Sequence, residues 1–395
     1  MSIRSNWSSE NKLSLILDDV RSWTEGENFK GYDPYDALNS PILSVASLGL
    51  KWPRIAFTQL MKRSPINMRP LFLISKDYNP KGLGLFLWSY TKLYKATKDE
   101  TAKKRAYEVY QLLNNCITQT ANGFGWGYNF DWQSRAFFIP KGTPTIVNSS
   151  FIGHALLEAF EVFEDEQFYN TALSVGRFIC GDLHRTKEKD ETFCFSYTPI
   201  DKTIVHNANL LGASLLMRLF QNNTSSNFKD LALASLTYSM NRQQADGSWW
   251  YADTNYQNWV DSFHTGFNLQ CIRYFLQLGE GKDFNAAYGK GVDYYAKNFF
   301  EQDGTAKYYN NRLLPEDIHS YAQAIVFFSR EGKEYESLVD VIVNKMMASF
   351  FDPSGYFYFQ RRKGEPIKIP YIRWAQSWAF HALSEYYTYR VKGSN

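Results

Sequence analysis

Paired cysteines are missing from this chain. Its four cysteines in 395 residues (Cys116, Cys180, Cys194 and Cys271) are far apart and form no C-x-x-C motif. That excludes a disulfide-framed secreted fold and reads as free, mostly buried thiols in a reducing compartment. Long apolar runs are missing too. No stretch reaches the ~18 residues of a membrane helix, and the opening "MSIRSNWSSENKLSLILDDV" has no apolar leader core. We therefore expect no membrane span and a cytoplasmic location. Charge of one sign is scarce: Lys+Arg 43 against Asp+Glu 40 leaves a net charge of +3. The densest cluster, "KATKDETAKKR" (95–105), mixes signs and reads as a solvated helix face, so no nucleic-acid partner is expected. Neither a G-x-x-x-x-G-K-[ST] loop nor a strand-borne G-x-G-x-x-G occurs, and "GLGLF" (82–86) falls inside a predicted helix. Nucleotide binding has no support on that ground, and no cofactor is expected.

Aromatics are what the chain has in excess, with 30 Phe, 27 Tyr and 11 Trp making 17%. Most must fill the core. Others can line a groove, because flat rings stack on sugar rings and on terpene carbocations.

One grammar recurs along the sequence. A loop with Gly and clustered aromatics leads to a polar residue, and an amphipathic helix with a small residue near its start follows. The loops are "NGFGWGYNFDW" (122–132), "CFSYTP" (194–199), "DGSWWYAD" (246–253), "DGTAKYYNN" (303–311) and "PSGYFYFQ" (353–360). The polar residues are Asn79, Asn148, Asn207, Asp261, Asp317 and Arg373, at intervals of 69, 59, 54, 56 and 56 residues. The last repeat fits worst, since Trp378 replaces the small residue. Such a period holds two helices and their loops. More charged helices alternate with these, for example "KDETAKKRAYEVYQLL" (98–113), and their polar faces mark an outer layer. The sixth outer helix is expected from residues 10–23 or 41–61. Six hairpins close a ring, so the expected fold is all-α, an (α/α)6 toroid with aromatic-rich loops at one rim. It forms a single domain over 1–395, in which 1–75 supply amino-terminal outer helices and closure and 76–390 the hairpin repeats. An open α-solenoid is the alternative.

The stretch "QQADGSWWYAD" (243–253) followed by "DSFHTGFNL" (261–269) resembles six-hairpin, carbohydrate-active toroid proteins. These include glycosidases, sugar epimerases and polysaccharide lyases, and especially helical-toroid proteins of bacterial surface-polysaccharide biosynthesis. The resemblance covers roughly residues 75–390 and implies a carbohydrate ligand. Gln244, Gly247 and Trp249 also resemble the QW repeat of triterpene cyclases, but no D-x-D-D motif accompanies them. No cysteine lies near His264 to complete a prenyltransferase-like zinc site.

In a toroid the inner helices start at one rim, and the preceding loops form the cavity mouth. Trp126, Trp249, Trp250, Tyr251, Tyr309, Tyr358, Arg361 and Arg373 are the expected substrate-binding residues. Helix amino ends there favour an anionic ligand such as a uronate or sugar phosphate. Asn148, Asn207, Asp261 and Asp317 also suit helix capping. Half of the six histidines, His206, His264 and His319, fall at inner-helix starts, where an imidazole can move protons. They lack the short spacing of a zinc motif, so no metal is expected.

The expected catalytic residues are Asp261, His264, Asp317, His319 and His206. Hydrolysis needs two cavity carboxylates, with Asp261 and Asp317 or Glu316 as the best pair. Epimerisation or β-elimination needs a His or Tyr base, for which His264, His319, Tyr251 and Tyr309 fit, and a cation facing the sugar's carboxylate, for which Arg361, Arg362, Arg373 and the helix amino ends fit. The sequence leaves these chemistries level, for a sugar or oligosaccharide of bacterial polysaccharide metabolism. A non-catalytic glycan-binding toroid is the alternative, and a terpenoid cyclase a weaker one.

Overall fold

The computed structural model describes Trp7 and residues 10–135, 137–222 and 227–393. Fourteen α-helices dominate these residues: α1 (Glu10–Gly26), α2 (Pro41–Ala46), α3 (Lys51–Arg63), α4 (Pro80–Thr97), α5 (Glu100–Asn114), α6 (Ile146–Phe163), α7 (Glu166–Asp182), α8 (His206–Asn222), α9 (Phe228–Met240), α10 (Ser262–Gln277), α11 (Asn285–Phe299), α12 (Ile318–Glu331), α13 (Glu336–Phe350) and α14 (Trp378–Gly393).

The two layers follow from burial. In α4, every residue from Pro80 to Leu93 is buried, so the helix has no solvent face. In α5 only a stripe of Ala102, Ala106, Val109, Tyr110 and Leu113 is buried. Helices α4, α6, α8, α10, α12 and α14 form the inner ring. Each packs on the next, and α14 packs on α4 to close it. The architecture is the (α/α)6 toroid. Of the two segments proposed for the sixth outer helix, α1 takes the place, packing on α14. Segment 41–61 instead forms α2 and α3, which fold over the mouth of the ring. The buried Arg69 guanidinium anchors that flap, binding Asp36 at 2.8 and 3.0 Å and the Tyr371 hydroxyl at 2.9 Å.

The small residue five places into each inner helix has a packing reason. A Cβ at Gly84 would sit 2.6 Å from Ile152, and one at Gly153 would sit 2.5 Å from Leu215, both on the next inner helix. Neighbouring helices thus approach through these notches. In the sixth repeat Trp378 is itself fully buried in the ring's centre, 5.4 Å from the Phe151 ring and 5.5 Å from Phe267. One bulky side chain there plugs the axis. The turn of π-helix just before it, Ile372–Ser377, accommodates the change.

The capping expectation divides. Asn79, Asp261 and Asp317 accept backbone N–H groups at the starts of α4, α10 and α12. Asn148 and Asn207 are not caps: Thr145 caps α6, and Asn207 lies inside the first turn of α8.

Candidate active site

The inner-helix amino ends and rim loops enclose a cavity of about 610 Å³. All six inner repeats reach it, through Lys81, Val147, Asn207, Asp261, His319 and Arg373.

Its sharpest feature is on α10. The Asp261 side chain, almost fully buried, accepts the His264 backbone N–H at 3.0 Å through one oxygen. Its other oxygen lies 2.7 Å from His264 Nδ1 and accepts Trp259 Nε1–H at 3.0 Å. A cap at i and a ring at i+3 meet because both project from the first turn. With Nδ1 as donor to the carboxylate, Nε2 carries the lone pair of a neutral His264. The ring is partly open to the cavity and packs at 4.7 Å from Tyr251, which stacks on Trp259 at 4.8 Å.

His319, at the start of α12, is the second histidine on the cavity. Its ring lies parallel to Phe263 at 4.5 Å, and Phe263 lies 4.4 Å from His264 on its other contact. The two imidazoles are therefore no further apart than those two distances combined. Neither ring nitrogen of His319 has a hydrogen-bond partner among the described residues. Burial, together with the nearby Lys81 and Arg373, holds its pKa well below the usual histidine range, so it is neutral at pH 7.

Charge on the walls is lopsided. Seven cations line the cavity (Lys62, Arg63, Lys81, Arg135, Arg312, Arg362 and Arg373), against one carboxylate, Asp261. Among the described residues only Arg373 of the seven has an acidic partner, Asp33, at 2.6 and 2.8 Å. Lys81 lies 4.0 Å from the Phe151 ring; burial and then Arg373 hold its pKa well below the usual lysine range. Burial lowers Arg362 as well, helped by Arg63, and its buried Nε has no partner.

The other expected residues are placed as follows. Asp317 is fully buried outside the cavity lining, and its oxygens accept the His319 N–H, Trp374 Nε1 at 2.9 Å and Gln360 Nε2 at 2.6 Å. Burial raises its pKa. Glu316 binds the Tyr321 hydroxyl and Arg361, the latter at 3.1 Å. His206 is buried on the outer side of α8, 2.7 Å from Asp253 and 3.4 Å from Ser239. Trp126 and Trp249 are core residues whose indoles donate to the Leu113 and Ser239 carbonyls. Trp250 is exposed on an open groove outside the rim, which Tyr309 and Trp259 share with the cavity. Tyr358 donates to Asp352 at 2.5 Å, away from the cavity. Tyr251, Tyr309 and Arg373 line it.

Sequence reasoning did not single out Lys62, Arg63, Lys81, Arg135 or Arg312. Arg362 it offered beside Arg361 as a cation for a substrate carboxylate, and the local strand separates the two. Gln360–Arg361 is a short strand paired with Glu316–Asp317, so side chains alternate: Arg361 turns to Glu316, while Gln360 and Arg362 turn to the cavity. Lys62 and Arg63 come from the flap, whose position over the mouth leaves no local mark.

Fold and cavity together define an (α/α)6 toroid whose open end carries a basic, aromatic cavity with an Asp–His pair. No family model matches the sequence, and no curated protein matches it. Solved structures of the same fold do. Cellobiose 2-epimerase from Bacillus thermoamylovorans B4167 matches with TM-score 0.60 and 13% identity, over 79% of this chain and 88% of that one. A glycoside hydrolase α-mannanase from Bacteroides thetaiotaomicron gives TM-score 0.61 and 11% identity, over 80% and 88%. A D-mannose isomerase gives 0.59 and 12%, over 80% and 87%. This chain is a six-hairpin toroid like them, at identities that speak for the fold.

Proposed function

We propose that this protein is a carbohydrate-active enzyme that abstracts and returns a carbon-bound proton of an anionic sugar, an epimerase-type reaction on a uronate-containing substrate. The observation that carries the reading is the composition of the cavity wall: seven cations and a single carboxylate, which is hydrogen-bonded to a histidine. Two-carboxylate hydrolysis needs an acid and a second carboxylate on either side of the glycosidic bond. Here Asp261 has no such partner on the cavity wall among the described residues.

In this reading His264 Nε2 takes the proton from the sugar carbon next to the carboxylate. Asp261 orients the ring through Nδ1 and stabilises the imidazolium that forms. Arg362 binds the substrate's carboxylate, and Arg373 stabilises the negative charge that develops on it as the proton leaves. His319, neutral and without a hydrogen-bond partner on either ring nitrogen among the described residues, offers its N–H to a substrate oxygen. A proton from solvent water reaches the opposite face of the planar carbanion and gives the inverted centre, and the hydroxide left behind is neutralised by the proton held on His264. Tyr251 and Trp259 offer a stacked aromatic wall for the sugar ring. The likeness in fold to sugar epimerases, an isomerase and a mannanase supports a carbohydrate substrate. The four free cysteines support a reducing, intracellular setting on the biosynthetic side of polysaccharide metabolism.

The test is incubation with uronate oligosaccharides in D2O, followed by proton NMR. Loss of one ring C–H signal without chain cleavage is expected, and His264→Ala should abolish it. New reducing-end signals would replace the reading with hydrolysis.

A further inference from the structure

Residues 37–76, the segment that folds over the mouth, contain no aspartate or glutamate and six lysines and arginines. Arg69 is spent on the buried anchor to Asp36, and Lys76 pairs with Glu27. Lys51, Arg54, Lys62 and Arg63 have no carboxylate partner among the described residues.

The same segment is apolar on its outside. Sixteen large hydrophobic side chains are exposed among the described residues, and nine of them lie between Ile42 and Leu73. On α3 the exposed positions Trp52, Ala56 and Leu60 recur every four residues and so form one stripe. Trp52 is 67% exposed, and Leu48, in the preceding turn, 78%. The opposite side of the flap has a small core of its own, formed by Ala37, Leu43, Met61 and Ile74. The outward apolar residues are therefore not borrowed from that core. They are left bare.

We propose that this face docks on an anionic lipid bilayer, with α3 lying in the headgroup layer and Trp52 inserted among the lipids. A helix with an apolar stripe, a tryptophan and neighbouring cations is the pattern that binds such surfaces. Lys51 lies 5.6 Å from the Trp52 ring, where its ammonium can remain at headgroup level while the indole enters. A second copy is the poorer occupant. A twofold contact would bring together two acid-free faces, each with Lys51 beside its Trp52, so neither lysine would meet a carboxylate. No helix among the described residues is long and apolar enough to cross a membrane, so the attachment is peripheral.

Gln59, Lys62 and Arg63 of the same helix line the cavity. Docking through α3 therefore sets the mouth at headgroup level, within reach of a membrane-tethered anionic glycan. The docking itself is independent of the reaction assigned to the cavity.

The experiment is co-sedimentation of the full chain with phosphatidylcholine vesicles, with and without about 30 mol% phosphatidylglycerol. Binding to the mixed vesicles alone is expected. It should weaken about tenfold in Trp52→Ala/Leu60→Ser and in Lys51→Glu, none of which lines the cavity, with circular dichroism unchanged. Absence of binding to the mixed vesicles, or binding that both variants retain, would overturn the proposal. A solution dimer that the Trp52→Ala/Leu60→Ser variant converts to monomer would overturn it too, and assign the face to a second copy.

Discussion

Asp261 Oδ2 lies 2.7 Å from His264 Nδ1, while Oδ1 of the same carboxylate accepts the His264 backbone N–H. One side chain therefore both caps α10 and fixes the ring that faces the cavity. The two roles can be separated. Asp261→Asn keeps a capping oxygen and removes the charge. We expect proton exchange in D2O to slow by about 10²–10⁴-fold, while stability falls by about 1–3 kcal/mol, because the cap is kept but the amide nitrogen cannot accept the Trp259 Nε1–H. Exchange rates and a urea titration check this. A variant that loses stability heavily but exchanges at the wild-type rate would leave Asp261 as a cap only.

His319 gives a pH test. Burial lowers its pKa well below the usual value, so the folded protein excludes a proton that the unfolded chain accepts below about pH 6.5. Its effect on stability is therefore unfavourable below that pH and vanishes above it. His319→Phe keeps a flat ring among Phe263, Trp374 and Trp378. The variant should gain stability relative to wild type as pH falls from 7 to 5, and it should lose the reaction. A difference in urea midpoint that is the same at both pH values would show that His319 is not held neutral.

The architecture was legible because it repeats. The grammar of aromatic loop, polar residue and small residue placed the inner helices within a few residues, since each notch must admit a neighbour such as Ile152 or Leu215. The Asp261–His264 contact was legible for a related reason, that residues three apart in a first turn face each other. Side-chain direction in the loops was not. Trp249, Trp250 and Tyr251 are consecutive, yet they face the core, the outside and the cavity. The charge of the cavity was also hidden. It assembles from α3, α4, the strand at Gln360–Arg361 and the π-turn at Ile372–Ser377, which no local spacing connects.

Arg362 tests the anionic substrate. Its partner-free buried Nε and its place on the wall suit a bound carboxylate or phosphate. Arg362→Ala should raise KM about tenfold or more and leave kcat within a few-fold, because the contact serves ground state and transition state alike. The wild-type KM should rise with salt more steeply than that of the variant. Equal KM values for wild type and variant would remove Arg362 from the binding site.

At the far end of the ring the inner helices enclose a charged network. Lys92 lies 2.8 Å from Glu158 and 3.5 Å from Glu385, and Arg330 lies 2.5 Å from Glu385. Burial alone would raise the Glu385 carboxyl, but Arg330 and Lys92 outweigh it and hold its pKa at about 2. Glu158 is likewise held well below its usual value, against burial, by Lys92 and Lys95. A depressed carboxylate contributes stability above its unfolded pKa, about 4.3, and loses it as pH falls towards the folded value. Glu385→Gln leaves Arg330 without its carboxylate and should cost about 3–5 kcal/mol at pH 7. The gap between wild type and variant should narrow between pH 4.5 and pH 2, where Glu385 itself becomes protonated. Urea midpoints measured at pH 7, 4 and 3 check this. A gap that stays constant across that range would mean that the variant loses packing, and that the charge of Glu385 contributes nothing to holding the ring closed.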